Sequence, residues 1–285
     1  VTDDPFVAHR GLLFTVAYEM LGSAADAEDV VQETWLRWAN VDQAEIHDPR
    51  AYLVRTVTRQ ALNRLRTLTR RREDYVGQWL PEPLLTSPDV AEDAELAENV
   101  SIAMLTVLET LGPAERAVFV LHEVFETPYE EIAAIVDKTP AAVRQIAHRA
   151  RQHVAARRPR MQVDRAQQVA TLEKFMAAIA SGDLHGLMEV LAPDVILIAD
   201  GGGLVPAARQ PLAGAEKVLA FLARVADLSE LVATTAWFNG MPGAHFDLGG
   251  DITAVSLVIE DDRITRIYAI RNPDKLRGLD QVAEL

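Results

Sequence analysis

The apolar residues Leu12, Leu13, Val16, Ala17, Met20 and Leu21 recur at helical spacing until Gly22 stops them. Ser23 is placed to cap a second helix, AADAEDVVQETWLRWAN, in which Ala27, Val30, Val31, Trp35 and Trp38 make the apolar stripe. Asp48-Pro49 gives a cap followed by proline in the first turn, opening RAYLVRTVTRQALNRLRTLTRRR. There Leu53, Val57, Ala61 and Leu65 fall on one side of a helix, with Tyr52, Arg55, Arg59, Asn63 and Arg66 opposite. The pattern breaks at GQWLPEPLLTSPDVAED, where prolines and an acidic run predict a linker. Trp79 and Leu80 are too apolar to stand freely in water, so part of this linker is expected to dock. Helical spacing returns from Glu92 to about Val124, interrupted at LGP. Thr127-Pro128 is then expected to start a short helix with Ile132, Ala133 and Val136 inward. Asp137-Lys138 turns the chain, and Thr139-Pro140 starts another helix, with Val143, Ile146, Ala147, Ala150 and Val154 clustered on one side. A short helix, a tight turn and a second helix make the helix-turn-helix arrangement.

Beyond Asp164 the period changes. RAQQVATLEKFMAAIASGDLHGLMEVLAPDVILIADGGG predicts two helices and then a strand, and GAEKVLAFLARVAD a further helix. ELVATTAWFNG and DITAVSLVIEDDRITRIYAIRNPDKL read as strands, with Asp261-Asp262 a hairpin turn.

At 285 residues and 49% apolar content the chain is long enough for about two domains with real cores. No apolar run approaches the ~18 residues of a membrane span, and VTDDPFVAHR lacks the basic-then-apolar pattern of a signal peptide. The absence of cysteine excludes disulfides, thiolate metal sites and cysteine nucleophiles. A soluble cytoplasmic protein with no membrane partner is the expectation.

Charge sharpens the picture. The formal net charge of −14 argues against indiscriminate binding to nucleic acid. Against that background, Arg50 to Arg72 holds eight arginines and no acid, and Thr139 to Val163 holds six arginines, two histidines and no acid. In the second stretch Arg144, Gln145, His148, Arg151 and Gln152 project away from the apolar stripe, with Arg149 at the far flank. Arginine can pair bidentately with guanine and glutamine with adenine, and further arginines can hold phosphates. Arg157, Arg158 and Arg160 follow at a junction. On the helix after Ser23, Asp26, Asp29 and Glu33 line one face with Glu28 and Gln32 beside it; a solvated face is the plainer reading of such acids. HEVFE at His122 ends in Glu126 where a zinc motif needs histidine, so no metal site follows.

These blocks, in this order, resemble the extracytoplasmic-function (group 4) sigma factors of bacterial RNA polymerase. DAEDVVQETWLRWAN is similar to the region 2 helix that docks on the polymerase clamp, and DPRAYLVRTVTRQALNRLR to the segment that melts and reads the promoter −10 element. LGPAERAVFVLHEVFETPYEEIAAIVDKTPAAVRQIAHRAR is similar to region 4, whose helix-turn-helix reads the −35 element. The resemblance implies two all-α sigma domains: a region 2 helical bundle at 1-75 and a region 4 helix-turn-helix at 99-160, joined by a linker at 76-98. It implies core-polymerase contacts (β′ clamp and β flap) with Asp26, Glu28, Asp29, Gln32 and Glu33 on the binding face. Promoter double-stranded DNA would meet Tyr52, Arg55, Arg59, Gln60, Asn63 and Arg64 at −10, and Arg144, Gln145, His148, Arg149 and Arg151 at −35.

Residues 164-285 resemble the SnoaL-like branch of the NTF2-like fold, an α+β cone that often encloses a pocket. Sigma factors carrying this extension share signatures similar to WLPEPL in the linker, DGGG at Asp200–Gly203, NGMPG at Asn239–Gly243 and NPDKL at Asn272–Leu276. Trp79, Leu80, Pro81, Asp200, Gly201, Gly202, Gly203, Asn272, Pro273, Asp274 and Lys275 are therefore expected to act in regulation between domains. The glycine motif is usually followed by lysine; here Leu204 follows. The cone leaves room for a small-molecule ligand of unidentified kind. As the fold also houses enzymes, Asp200, Arg209, Trp237, His245 and Asp247 are candidates for catalysis, with a tight turn and a solvated loop as their plainer readings. The expected function is a non-enzymatic sigma factor without cofactor or metal, regulated in cis by its own C-terminal domain. A ligand-sensing helix-turn-helix regulator and a SnoaL-like enzyme with a DNA-binding appendage are the alternatives.

Overall fold

The computed structural model describes residues 4–87, 94–158, 165–226 and 231–283, without the side chains of residues 69–73, 94–95 and 225–226. Most of the acidic run after Asp89, and Arg160 at the junction, lie outside the described residues. The chain forms two compact units. One joins the residues up to Asp74 with Met104–Arg158, and the other joins Tyr75–Ala103 with the described residues from Arg165 to Ala283.

In the first unit, α1 (Pro5–Leu21), α2 (Ala24–Ala39) and α3 (Pro49–Glu73) pack on one another. Gly22 ends α1 in the left-handed conformation, and the Ser23 hydroxyl caps α2 by accepting from Asp26 N. Asp48 Oδ1 accepts from Ala51 N at the start of α3. Leu53, Val57, Ala61 and Leu65 are buried as expected, whereas Trp35 is 46% exposed. The buried line of α2 runs through Ala27, Val30, Val31, Thr34 and Trp38. Thr34 can take the inward position because its hydroxyl donates to Val30 O, and Trp35, one step of about 100° further on, turns outward.

The same unit holds α6 (Pro113–Phe119), which continues into a π-helical turn at Val120–Val124, then α7 (Tyr129–Val136) and α8 (Pro140–Ala155). These follow α4 (Ala94–Val100) and α5 (Ile102–Leu108). Thr127-Pro128 leads into α7 as expected, with Pro128 at the cap position and the Thr127 amide donating to Leu121 O beneath the π turn. Ile135 rather than Val136 completes the buried face of α7. Asp137 turns left-handed between α7 and α8, and the Thr139 hydroxyl accepts from Ala142 N to cap α8.

The second unit is a six-stranded sheet: β1 (Leu191–Asp200), β2 (Leu212–Ala213), β3 (Leu231–Phe238), β4 (Met241–Leu248), β5 (Asp251–Glu260) and β6 (Arg263–Ile270). The order is β2-β1-β6-β5-β4-β3, antiparallel except for β1 against β6. The hairpin turns are Asn239-Gly240, Gly249-Gly250 and Asp261-Asp262, each with two residues at positive φ, the geometry that matches strand twist. Helices α9 (Arg165–Ser181), α10 (Leu184–Val190) and α11 (Ala215–Ala226) cover one face, where Val255, Leu257 and Ile259 of β5 join Phe175 and Val218 in the core. The alternate residues Ala254 and Val258 join Leu80, Ile102 and Phe238 on the other face. Covering on both sides explains why β5 reads AVSLVI, almost without polar alternation. His245 and Asp247 lie on β4 and not in a loop.

One interaction in the first unit opposes its own burial. Glu19 of α1 is fully buried and neither carboxyl oxygen has a hydrogen-bond partner. Arg116 of α6 donates through Nε to the Glu19 main-chain oxygen at 2.8 Å and through Nη1 to Glu109, so it does not neutralise the Glu19 carboxyl by a direct bond. Burial outweighs the attraction of Arg116 and pushes the Glu19 pKa from 4.5 up to about 8. The folded chain thus keeps a proton that the unfolded chain releases above pH 4.5, and stability falls as pH rises from 4.5 towards 8. Glu19→Gln reproduces the neutral acid at every pH. The variant is expected to melt close to the parent near pH 5 and to gain up to about 1.4 kcal/mol per pH unit over it towards pH 8. Thermal melts across that range check this; parallel pH profiles would contradict it.

Candidate functional site

Three groups of side chains carry chemistry. On α8, the burial of Val143, Ile146, Ala147, Ala150 and Val154 leaves Arg144, Gln145, His148, Arg149 and Arg151 together on the exposed face. Three of the arginines already meet acids of their own unit. Arg144 donates to Glu130 at 2.8 Å, Arg151 to Glu123 at 3.4 Å, and Arg149 lies 3.9 Å from Glu115. These glutamates were invisible as partners in the sequence, which shows only a helix free of acids.

On α3, Tyr52, Arg55, Arg59, Gln60 and Asn63 line a groove of about 530 Å³ with Arg37, Asn40 and Thr56. Arg55 stacks over the Tyr52 ring at 5.7 Å, and Tyr52 in turn lies against Trp38. Gln60 offers a buried amide nitrogen that has no partner. Arg59 turns aside and donates to the main-chain oxygens of Ala134 and Ile135, at the C-terminal end of α7 where the helix dipole favours a cation. Arg64 does not line the groove. It bridges Asp26 at 2.7 Å and Asp29 on α2, which keeps its guanidinium pKa above the ordinary value despite burial. Glu28 accepts from Arg10, while Gln32 and Glu33 stand exposed on the same helix. The structure therefore ties Arg64 to two of the acids expected to meet polymerase.

The third group is the most enclosed. Asp200 ends β1 with no exposure, and four donors fill its two oxygens. Tyr75 Oη (2.6 Å) and Gly202 N (3.0 Å) donate to Oδ1, and Leu80 N (2.8 Å) and Lys275 Nζ (2.7 Å) to Oδ2. Lys275, itself buried, also donates to Leu80 O and lies 4.0 Å from the Trp79 ring centre. Asn272 donates to Tyr75 Oη at 2.8 Å, and burial with the Asp200 bond raises the Tyr75 pKa well above its usual range. The linker is thereby stitched to the sheet through Tyr75, Trp79 and Leu80. A side chain at Gly202, which has φ +60, would overlap the Asn272 amide, and one at Gly203 would press on Val76. Further along, the Asn239 side chain accepts from Leu84 N and donates to Val100 O, and Thr86 N donates to Trp237 O. Pro81 is buried with this strap, Pro273 and Asp274 are exposed, and Leu204 is 60% exposed. Tyr75 and Asn239 are the clasp residues that the sequence did not single out by number; only the NGMPG signature pointed to Asn239.

The candidate catalytic residues do not assemble. Asp200 is saturated by the clasp, Arg209 is exposed, and Trp237 is stacked by Arg165 at 4.6 Å. Strand alternation puts His245 and Asp247 on the opposite face from their neighbours Phe246 and Leu248, which line the cavity of this unit. Among the described residues no cluster of histidines and carboxylates could hold a metal, and no helix is long and apolar enough to cross a membrane.

The chain matches the Sigma-70 region 2 family over residues 6–71 and the Sigma-70 region 4 family over residues 101–154. It is 37% identical to the extracytoplasmic-function RNA polymerase sigma factor SigJ of Mycobacterium tuberculosis, over 96% of this chain and 92% of that one. It is 33% identical to a probable sigma factor of the same type, SigI, from the same species, over 95% and 93%. The crystal structure of M. tuberculosis SigJ superposes with a TM-score of 0.79 at 35% identity, over 96% of this chain and 97% of that one.

Removing one partner of the buried clasp pair leaves the other charge unpaired. Asp200→Ala is expected to cost about 3–5 kcal/mol, and Asp200→Leu with Lys275→Met to recover most of it. Urea unfolding measures the stability, and hydrogen exchange at the Leu84 and Thr86 amides, which donate to Asn239 and Trp237, reports the strap. Protection unchanged in Asp200→Ala would show that the strap is held elsewhere.

Proposed function

This chain belongs to the extracytoplasmic-function RNA polymerase sigma factors, which are initiation factors and not enzymes, and from that membership we propose how its parts divide the work. A sigma factor binds core RNA polymerase and promoter DNA. In our reading the exposed face of α8 reads the −35 element and the α3 groove takes the −10 element, in the cytoplasm where polymerase and DNA meet. Asp26, Glu28, Asp29, Gln32 and Glu33 meet the β′ clamp, and the helix-turn-helix part meets the β flap. Residues 1-75 and 99-160 are the working domains, 76-98 the strap and 164-285 the regulator.

The observation that supports cis regulation is the clasp on Asp200. The chain leaves the first unit after Asp74 and re-enters it at Met104, and the described residues between belong to the second unit. The tether between the two promoter-binding parts is therefore as long as the clasp allows. Separating them frees Arg59 from the α7 carbonyls for DNA.

Transcription from a candidate promoter with purified core polymerase tests the reading as a whole. Absence of promoter-dependent initiation from every variant and truncation would reject it. Arg144→Ala or Arg149→Ala is expected to weaken promoter binding by about 1–3 kcal/mol where the side chain reads a base, measured by fluorescence anisotropy. Unchanged affinity in both would remove α8 from the interface. Reversing charge at Asp29 and Glu33 is expected to lower affinity for core polymerase while leaving binding to a preformed −35 duplex intact.

A further inference from the structure

Between the sheet and helices α9 and α11 the second unit encloses a cavity of about 130 Å³. Its depth is apolar, with Phe175, Phe221, Phe246 and Ile267 among its walls. Polarity enters at one end only, and the strand register says why. Val255 on β5 pairs with Ala269 on β6, both facing the cavity, so the next inward-facing positions towards the strand ends are Thr253 and Arg271, followed by Asp251. The cavity therefore runs from a dry end to a rim bearing one cation, one hydroxyl and one acid.

Arg271 is the unusual member. Its guanidinium donates to the Pro206 main-chain oxygen, and no carboxylate lies within ion-pair distance of it among the described residues. A guanidinium carries five donors, so most of this one's capacity faces the cavity mouth unspent. Beside a low-dielectric interior an unpaired cation favours an anion there. Asp251, exposed on the same rim, opposes a second negative charge. The whole cavity is close in size to the ~150 Å³ cavity that holds benzene in another protein.

We infer that this cavity binds a small apolar monocarboxylate. Its body, one aromatic ring or a short alkyl chain, lies among the phenylalanines, its carboxylate accepts from Arg271, and the Thr253 hydroxyl donates a second bond. The inference deepens the regulatory reading proposed above, by giving the C-terminal domain a chemical signal to read; the binding step itself does not depend on that reading.

Isothermal titration of the full chain with benzoate and hexanoate tests it, with benzamide and benzylamine as neutral and cationic controls. Saturable one-to-one binding of at least one acid is expected, at least tenfold weaker binding of benzamide, and none of benzylamine. Arg271→Gln, at the rim and outside the core, is expected to abolish the preference for the acid over the amide. Ala269→Phe, which fills the cavity, is expected to abolish binding, with circular dichroism confirming that it folds. No saturable heat with either acid, benzylamine binding as well as benzoate, or an acid preference that survives Arg271→Gln would each overturn the assignment. Promoter-dependent transcription by the same preparation keeps the two readings apart: an active factor that binds neither acid counts against the site alone.

Discussion

The carboxylate of Asp200 is the point on which the second unit is organised. A buried charge is tolerated only when its lone pairs are spent, and here two carboxylate oxygens receive four donors from three stretches of chain. The linker supplies Tyr75 and the Leu80 amide, the glycine turn supplies Gly202, and the C-terminal turn supplies Lys275. None of these alone would compensate the charge. Each therefore holds the others, and the requirement explains the glycines, because the linker can approach β1 so closely only where Gly202 and Gly203 carry no side chain. The strap so fixed covers the second face of the sheet, which lets β5 be apolar on both sides.

The first unit obeys a related rule with a different outcome. Five of the cations proposed above to meet DNA are satisfied by the protein itself: Arg144, Arg149 and Arg151 by glutamates, Arg64 by Asp26 and Asp29, and Arg59 by helix-terminal oxygens. Such exposed pairs contribute little stability, so a phosphate or a base edge displaces them cheaply. An acidic protein of net charge −14 that keeps its basic faces internally paired gives up affinity for nucleic acid in general. What remains is the part that depends on geometry. Glu19 adds a further constraint, because α1 buries its carboxyl beside the Arg116 contact with α6 and that burial raises the carboxyl pKa.

Periodicity made the helices of the first unit legible nearly residue by residue, because each packs one face and exposes the other. It failed at Trp35, where Thr34 satisfied its own hydroxyl and took the inward position. It also could not show the acids opposite α8, since those partners come from other elements of the fold. The helices and strands of the second unit were legible, and so were most clasp residues, through signatures shared with relatives. Tyr75 was not: a lone aromatic between Asp74 and Val76 has no period, and its role arises only when Asp200 and Asn272 close on it. The cavity was legible only as a property of the fold type. Its polar rim came from strand register, which no single segment encodes.

The clasp and the cavity are not separate features, because they share backbone. The Arg271 and Asn272 amides both donate to the Asp200 main-chain oxygen, at 2.7 and 3.0 Å, while the Arg271 side chain faces the cavity and the Asn272 side chain holds Tyr75. A force on the Arg271 guanidinium is thus one peptide away from a residue that grips the linker. Occupancy of the cavity can bias the clasp only by the difference in affinity between clasped and released forms. This short covalent path is where that difference has to arise. A ligand that drew Arg271 inward would tighten or strain the Asp200–Asn272 turn, whereas one that touched only the apolar walls would leave the strap as it is.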